Sequence, residues 1–346
     1  MNIRTLLFTL SLILVSSCKK KYDPFHTKAR WVKQYFKELE KSDYSNIYAI
    51  AWWHENFDQS YLKINSSKRS LKAYKKQIIN DKFITKCIFE DDKLLPLNGK
   101  MYHGAFPDFG GTEDQVTTAA INEYQHLAEK NIAWAYFSNN WNDSLIFPIE
   151  AINTIISTGK TPFLRLLSRS DFDILPDPKY QLIDIVNGNY DDELIAWAQA
   201  ASTIEHPFLV EFGTEMNGDW FPWNGKYSGE GNLTGYGDPS YPDGPEIFRD
   251  AYRHIIEICA EQEADNITWF FHLDAYDWPE EIWNKPKYYY PGDSYIDWIG
   301  ISTYGPQSKE DDYIRPNELL PHALEQLKKV TTNKPYAILE FGITEL

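Results

Sequence analysis

The stretch Pro207-Phe-Leu-Val-Glu-Phe-Gly213 decides the fold of this chain. It is a short, almost continuously apolar run that ends in glycine, a pattern typical of a strand buried on both faces of a parallel sheet. Helical periodicity precedes it over residues 191–205 and follows it over residues 245–263. The stretch is therefore predicted to be the strand of a helix–strand–helix unit.

The same unit repeats along the chain, with no low-complexity linker after Cys18. Eight alternating strands and helices in one domain predict an α/β fold of the (β/α)8 (TIM) barrel type rather than an open sheet, here a single domain over residues 28–346. The other strands are predicted at residues 47–53, 101–106, 132–137, 162–167, 267–273, 296–302 and 335–341, and the other helices at 28–41, 68–79, 114–130, 149–158 and 316–330.

The order of these elements departs from the usual barrel, which begins with a strand and ends with a helix. Here a helical pattern over 28–41 comes first and the strand over 335–341 comes last. A barrel lacking one strand is one explanation, but the strand at 47–53 completes the count of eight. We therefore predict a circularly permuted barrel, in which the last helix–strand–helix of the usual order comes first and residues 47–53 close the gap between 335–341 and 101–106.

The first residues are typical of an export signal. After Arg4, residues 6–15 form an apolar run about half as long as a membrane span. The run ends in Val15-Ser-Ser-Cys18, which resembles the cleavage box of bacterial lipoproteins, although an ordinary signal peptide with a coincidental Cys is the alternative. We expect a signal peptide over 1–17 and a linker over 18–27 that is lipidated at Cys18. The lipid would anchor an extracytoplasmic domain to a bacterial outer membrane, on either its periplasmic or its cell-surface side.

Composition excludes several classes of partner. The chain has 34 basic and 50 acidic side chains and a net charge of −16, so nucleic acid is not an expected partner. The eight His residues show no metal-ligand spacing, and no phosphate-binding glycine loop is present, so neither a metal nor another cofactor is expected. The many aromatic rings suit a protein that stacks on sugars, although most belong to the core. A monomer is expected.

Two glutamates are the candidate catalytic residues. Glu215 follows the strand at 207–213, and Glu340 closes the run Pro335-Tyr-Ala-Ile-Leu-Glu340. The carboxyl ends of all barrel strands meet at one rim, which is the active-site face of this fold. Two converging carboxyl groups are the minimum needed to cleave a glycosidic bond, whereas either glutamate alone is as readily structural.

The segment Glu215-Met-Asn-Gly-Asp-Trp-Phe-Pro-Trp223 resembles the acid/base motif of glycoside hydrolase family 26, whose members are mainly β-mannanases within a clan of retaining (β/α)8 hydrolases. Residues 289–300 resemble the approach to the family's sixth strand, and Glu340-Phe-Gly resembles its nucleophile strand. The resemblance implies that Glu215 is the general acid/base, that Glu340 is the nucleophile, and that Tyr304 holds the nucleophile by a hydrogen bond.

The family's last strand and helix resemble residues 48–56 and 64–74, which supports the permutation. This implies that Trp52 or Trp53 is the platform under the sugar being cleaved, and strand parity leaves the choice open. The other substrate-binding candidates lie at expected rim positions, with core burial as the alternative for several of them; they are His103, Trp141, Asn217, Trp220, Trp223 and Trp278.

Two departures from the family pattern weaken the substrate inference. Thr214 and Glu211 stand where many family mannanases have His and Arg, and Glu211 is expected to form a structural ion pair with Arg165. The expected function is a retaining endo-β-glycanase acting on β-1,4-mannan. The alternatives are a mixed-linkage β-glucanase or β-xylanase with the same residues, or a non-catalytic glycan-binding lipoprotein. We also predict that residues 343–346 are held by the segment after Lys21, because a loosely held Glu340 would lower the rate.

Overall fold

A computed structural model describes residues 27–346. The predicted signal peptide and the lipidation site at Cys18 lie outside these described residues. Eight parallel strands form a closed barrel, which confirms the predicted (β/α)8 class. They are β1 (Ile47–Trp53), β2 (Met101–Phe106), β3 (Trp134–Asn140), β4 (Thr161–Leu167), β5 (Phe208–Phe212), β6 (Ile267–Asp274), β7 (Trp298–Tyr304) and β8 (Tyr336–Gly342).

The first strand closes the barrel. Ile50 of β1 lies opposite Ile338 of β8 on one side and opposite His103 of β2 on the other, both in parallel register. This is the position predicted for residues 47–53. The relation of this strand order to that of the family, and hence the circular permutation, stays a prediction.

Helices cover the outside of the barrel. Their bounds lie within a few residues of the predicted ones, and two short helices were not predicted. They are α1 (Lys28–Leu39), α2 (Lys68–Ile78), α3 (Thr118–Ala128), α4 (Ile149–Ser157), α5 (Leu182–Val186), α6 (Asp191–Ser202), α7 (Asp243–Glu261), α8 (Pro286–Tyr289) and α9 (Pro316–Val330). No helix among residues 27–346 has the length and apolarity that a membrane span requires.

The start of α3 differs from the prediction for a reason that matters to the site. Thr117, not a residue near 114, caps this helix, and its side chain accepts a hydrogen bond from the Ala120 N–H. Residues 112–113 instead belong to the loop after β2, where Glu113 has a left-handed φ of 61°. This loop brings the Glu113 carboxylate to the rim of the barrel, where it pairs with Arg165.

Residues 343–346 follow β8 and are fixed by the N-terminal part of the chain. The Thr344 side chain is buried and accepts a hydrogen bond from the Tyr61 N–H at 2.8 Å. The Glu345 carboxylate accepts hydrogen bonds from Ser66 at 2.8 Å and from Ser70 of α2 at 2.7 Å. These residues are held in place as predicted, but the contacts come from residues 61–70 and not from the stretch directly after Lys21 that the prediction named.

Candidate active site

A cleft of about 730 Å³ opens at the carboxyl ends of the strands. This volume falls in the range of sites that bind small molecules or sections of a polymer. Both candidate catalytic glutamates line it, together with aromatic side chains from the loops after β1, β4, β5 and β6; those aromatic residues are Phe57, Phe172, Trp220, Phe221, Tyr276 and Trp278.

Glu215 and Glu340 face each other across this cleft. One carboxylate oxygen of each lies within 4.8 Å of the other, and both lie within that distance of a ring nitrogen of His272. Glu340 is the fifth residue of β8, and Glu215 lies three residues beyond the end of β5. Two strands that are distant in sequence therefore deliver two carboxyl groups to one point, as the pairing of the two glutamates predicts.

The Glu340 carboxylate is held in a fixed orientation. The Tyr304 hydroxyl at the end of β7 donates a hydrogen bond to Oε2 at 2.7 Å, and Arg165 Nη2 lies 3.4 Å from Oε1. Oε1 accepts no hydrogen bond from any residue in 27–346. Burial raises the pKa of Glu340 to about 7, with Arg165 opposing the shift and Glu215 adding to it.

Glu215 reaches the cleft through an unusual backbone conformation. Its φ is 49°, in the left-handed region that costs free energy for a residue with a side chain, and such strain clusters at functional sites. The Glu215 N–H bonds to the His272 carbonyl at 3.0 Å, which holds this conformation in place. The Trp220 indole N–H donates to Glu215 Oε2 at 2.9 Å and fixes the carboxylate from the cleft side.

A buried polar network supports the two glutamates from inside the barrel. His272 Nδ1 lies 2.9 Å from Glu211 Oε2 and 2.9 Å from the Thr214 hydroxyl, and Nε2 lies 2.9 Å from Ser302 Oγ. Burial alone would raise the pKa of Glu211, but His272, Arg165 and a hydrogen bond outweigh it and leave that pKa lowered. Burial would likewise lower the pKa of His272, and Glu211 reverses this, so the pKa of His272 is raised.

The expected pairing of Glu211 with Arg165 is part of this network. Arg165 Nε lies 3.6 Å from Glu211 Oε1, and Nη1 donates to Glu113 Oε2 at 2.7 Å. Arg165 also reaches Glu340, so one buried cation serves three carboxylates. Removing it would leave buried negative charge without a partner, which is costly in a protein interior.

Trp53, and not Trp52, lines the cleft. Its ring stacks on Phe106 with centroids 4.0 Å apart, and its indole N–H donates to Glu55 Oε2 at 3.1 Å. Trp52 points the other way, between the barrel and α2, where its indole N–H bonds to the Leu62 carbonyl at 2.9 Å. Successive side chains of a strand point to opposite faces, so only one of the two can be a platform.

The predictions for His103 and Trp141 as residues lining the cleft are wrong. His103 lies in the middle of β2 and faces outward, where Nε2 meets the Tyr74 hydroxyl at 2.9 Å and Nδ1 meets the Asn131 carbonyl at 2.9 Å. Burial lowers the pKa of His103 to about 4. Trp141 is fully buried against Tyr180 and Tyr190.

Two residues of the Glu215 motif also do not line the cleft. Trp223 is buried, and its indole N–H bonds to the Thr214 carbonyl at 2.7 Å. Asn217 is buried, and its side-chain amide bonds to Asp277 and to the Asp274 carbonyl at 3.0 Å. Both residues therefore fix the loop that carries Glu215 and do not contact the cleft. Trp220 and Trp278 do line it, and both are more than 40% exposed.

Sequence reasoning missed the other carboxylates of the cleft, among them Asp274, Glu55 and Glu113. Asp274 ends β6, and burial, followed by the charge of Glu215, raises its pKa well above the usual range. Glu55 lies just beyond β1, and burial followed by the charge of Glu113 raises its pKa to about 7. A carboxylate at or just beyond the end of a predicted barrel strand was the available signal for Asp274 and Glu55, whereas the position of Glu113 depends on a loop.

Glu215, His272 and Glu340 also have the spacing of a metal-binding group. Both ring nitrogens of His272 are already engaged in hydrogen bonds, with Glu211 and Thr214 on one side and Ser302 on the other. A ligand nitrogen needs a free lone pair, so this histidine does not suit a cation.

A closed (β/α)8 barrel with two facing glutamates at its rim has the geometry that cleavage of a glycosidic bond requires. The family model described as glycosyl hydrolase family 26 matches residues 173–331, which include the Glu215 segment and β7. Over this part, just under half of its length, the chain is similar to glycosyl hydrolase family 26.

Curated relatives carry different activities in their names. The chain is 25% identical over 238 residues to Endoglucanase H of Acetivibrio thermocellus, which covers 67% of this chain and 23% of that protein. It is 24% identical to a beta-1,3-xylanase of an Alcaligenes species, over 44% of this chain and 28% of the relative. It is 26% identical to mannan endo-1,4-beta-mannosidase A and B of Caldalkalibacillus mannanilyticus, over 38% of this chain and 21% of the relative. The chain thus spans about a quarter of the length of these relatives.

Proposed function

We propose that this protein is a retaining endo-β-glycanase, with β-1,4-mannan as its primary substrate. The observation that carries the proposal is the approach of the Glu215 and Glu340 carboxylates to within 4.8 Å in an aromatic cleft. Retaining glycosidases have carboxyl groups about 5–5.5 Å apart, whereas inverting enzymes need about 6.5–9.5 Å to admit a water molecule. The short distance supports a double displacement.

In the first step, Glu340 attacks the anomeric carbon while Glu215 protonates the departing glycosidic oxygen. Oε1 is the attacking atom, because Tyr304 already holds Oε2 and Oε1 accepts no hydrogen bond within residues 27–346. In the second step, Glu215 removes a proton from water, which attacks the glycosyl ester and releases Glu340. General acid–base assistance of this kind contributes about 10²–10⁴ in rate.

The proposed first step needs Glu340 as a carboxylate and a proton on Glu215. The pKa of Glu340, raised to about 7 mainly by burial, means that attack requires a pH at which this group is ionised. Arg165 and the Tyr304 hydroxyl both favour its carboxylate form. Esterification of Glu340 removes its charge, after which Glu215 is free to act as the base.

The charges of the cleft support a neutral polysaccharide. Arg165 is the only basic side chain among the described residues that line it, and it is paired with Glu113, Glu211 and Glu340, so no cation is left to bind a uronate group. Mannan, glucan and xylan backbones all meet this requirement. Trp53 is the proposed platform for the sugar being cleaved, and Trp220 is placed to contact the next sugar, because its indole bonds directly to Glu215.

Mixed-linkage β-glucan is the second candidate substrate, with β-xylan beside it. The departure at Thr214 favours this reading, because many family mannanases have His at this place near the bond-cleaving subsite, whereas here the Thr214 hydroxyl bonds to His272 inside the barrel. The relative named Endoglucanase H also matches a larger part of this chain than the mannosidase does.

A panel of mannan, mixed-linkage β-glucan, β-1,4-xylan and β-1,3-xylan tests the proposal, with reducing ends and product sizes as the readout. We expect oligosaccharides from mannan with the wild type and none with Glu340→Ala or Glu215→Gln. Oligosaccharide products from glucan or xylan alone would show that this polysaccharide, and not mannan, is the substrate. Binding of glycan by the wild type, with no hydrolysis of any of the four, would establish the non-catalytic alternative.

We further propose that the protein is exported and held by acyl chains on Cys18, and that the barrel is a monomer. The sequence before Thr27 supports the anchor through its lipoprotein-like cleavage box. Metabolic labelling with a palmitate analogue tests it, because labelling should occur in the wild type and disappear in Cys18→Ser. Labelling that persists in Cys18→Ser, or is absent from both, would contradict the anchor.

A further inference from the structure

A basic groove of about 640 Å³ runs between α1 and α2 on the outer surface of the barrel. It shares no lining residue with the catalytic cleft, and no acidic side chain in residues 27–346 lines it. The chain as a whole has a net charge of −16, so a surface of purely positive charge stands out. The cations that line it are Arg30, Lys33, Arg69, Lys72 and Lys76.

The two helices hold these cations in a fixed arrangement. Helix α1 packs on α2 through Phe36 and Tyr74, whose ring centroids lie 6.1 Å apart. The sequence of α2 contains no acidic residue, and the single acidic residue of α1, Glu38, is buried and paired with Lys41. Like charges on neighbouring helical positions destabilise the helices, so this pattern costs stability unless an anionic partner binds.

The chain that precedes Thr27 points to the partner. It carries Lys19, Lys20 and Lys21 close to the expected lipidation site at Cys18. The nine peptide links from Cys18 to Thr27 span at most about 30 Å even when fully extended. An acyl chain on Cys18 would therefore keep the groove close to the bilayer. The three lysines would be repelled by the groove, so both features are suited to the same anionic partner.

We propose that the groove and the flanking faces of α1 and α2 dock on the anionic headgroups of the membrane that holds the anchor. Phosphate-bearing lipids attract each Lys or Arg within a Debye length of the bilayer surface. Helices α1 and α2 flank the barrel wall, so docking lays the barrel on its side. The cleft at the carboxyl end of the strands then opens along the membrane and stays accessible to a polymer. This contact goes beyond the lipid anchor and is independent of the proposed glycanase activity.

Vesicle flotation with the full chain tests the proposal. The vesicles contain either phosphatidylcholine alone or phosphatidylcholine with about 30% phosphatidylglycerol. The groove variant carries Lys33→Glu, Lys72→Glu and Lys76→Glu, all at exposed positions. The matched control carries Lys86→Glu, Lys287→Glu and Lys328→Glu, which are exposed, lie outside the groove and change the net charge equally. The apolar leader contributes equally to every sample, so the difference between the two vesicle types isolates the electrostatic contact.

We expect the wild type and the control to partition more strongly onto anionic vesicles, and the groove variant to lose about tenfold or more of that gain. High salt should remove the gain. Equal binding of wild type to both vesicle types would overturn the proposal, as would equal losses in the groove variant and the control. Self-association of the wild type that the groove variant abolishes, without vesicle binding, would assign the groove to a second copy of the chain. The melting temperature and the rate of hydrolysis of a soluble polysaccharide should be unchanged in both variants. The melting temperature shows that the variants are folded, and the hydrolysis assay tests the proposed activity separately.

Discussion

Replacing Glu340 by glutamine should abolish hydrolysis and at the same time stabilise the fold above neutral pH. The pKa of this carboxyl is raised from 4.5 to about 7, mainly by burial. A folded-state pKa above the unfolded value means that the native protein favours the protonated form. The group therefore costs no stability below about pH 4.5, and the cost of burying its charge grows as the pH rises towards 7.

The size of the effect follows from the same numbers. A difference of this size in pKa corresponds to about 3 kcal/mol at pH 8, since each pH unit is worth about 1.4 kcal/mol. Glutamine keeps the shape of the side chain and retains an oxygen that can accept the Tyr304 hydrogen bond. Arg165 keeps Glu113 at 2.7 Å and Glu211 at 3.6 Å, so the substitution does not strand a buried cation.

Urea unfolding of wild type and Glu340→Gln at pH 4.5 and pH 8 measures this difference. We expect nearly equal stabilities at the lower pH and a more stable variant at the higher pH. Glu211→Gln is the matched control, because the pKa of Glu211 is lowered and its charged form contributes to stability. That variant should be less stable than wild type at pH 8. If the free energy of unfolding that Glu340→Gln gains over wild type is no larger at pH 8 than at pH 4.5, burial does not oppose the charge of Glu340 as argued above.

Four further outcomes follow from the site. Tyr304→Phe removes the 2.7 Å hydrogen bond to Glu340. Because a hydrogen bond to a charged group is worth about 1.5–3 kcal/mol, kcat should fall roughly 10–10²-fold. An unchanged kcat would contradict the role of Tyr304 in holding the nucleophile. A pH profile of kcat/KM should decline below about pH 7 as Glu340 takes up its proton, and a flat profile down to pH 5 would contradict the raised pKa. Trp53→Ala should raise KM because it removes the platform for the sugar. Trp52→Ala should instead lower the free energy of unfolding by about 3–5 kcal/mol, because it leaves a cavity at a buried site. The reverse pattern in steady-state kinetics and urea unfolding would exchange the roles of the two residues. Ser70→Ala removes one bond to Glu345 and should lower kcat a few-fold with KM nearly unchanged, and a shift in KM alone would argue against a positioning role.

The strand pattern was sufficient to predict the barrel. Each strand is a short apolar run bounded by turn residues, and burial on both faces leaves this signal in the local sequence. The convergence of Glu215 and Glu340 was predictable for the same reason, because a closed barrel brings all carboxyl strand ends to one rim.

The direction in which individual side chains point was less predictable. His103 was assigned to the cleft as a rim position, and Trp52 was one of two alternatives for the sugar platform, but strand parity turns both side chains towards the helices. Trp223 and Asn217 were assigned to substrate because they belong to the Glu215 motif. Their hydrogen bonds to the loop around Glu215 show why a motif residue near a catalytic group can be structural.

The cleft carboxylates that were not predicted fall into two groups, those at strand ends and those that loops place. Asp274 directly follows a predicted strand and ends the observed one, so its position was available from the pattern. Glu113 depends on a loop with a left-handed residue, and no local signal specifies where such a loop places its side chain. The network of His272 with Glu211 and Thr214 joins residues about 60 positions apart and becomes visible only when the barrel closes.

The most direct test of the carboxylate pair is the configuration of the first product formed from a β-linked oligosaccharide, followed by proton NMR before mutarotation. A double displacement through Glu340 predicts that the β-anomer appears first. Initial release of the α-anomer would show direct attack by water and would contradict the assignment of Glu340 as nucleophile.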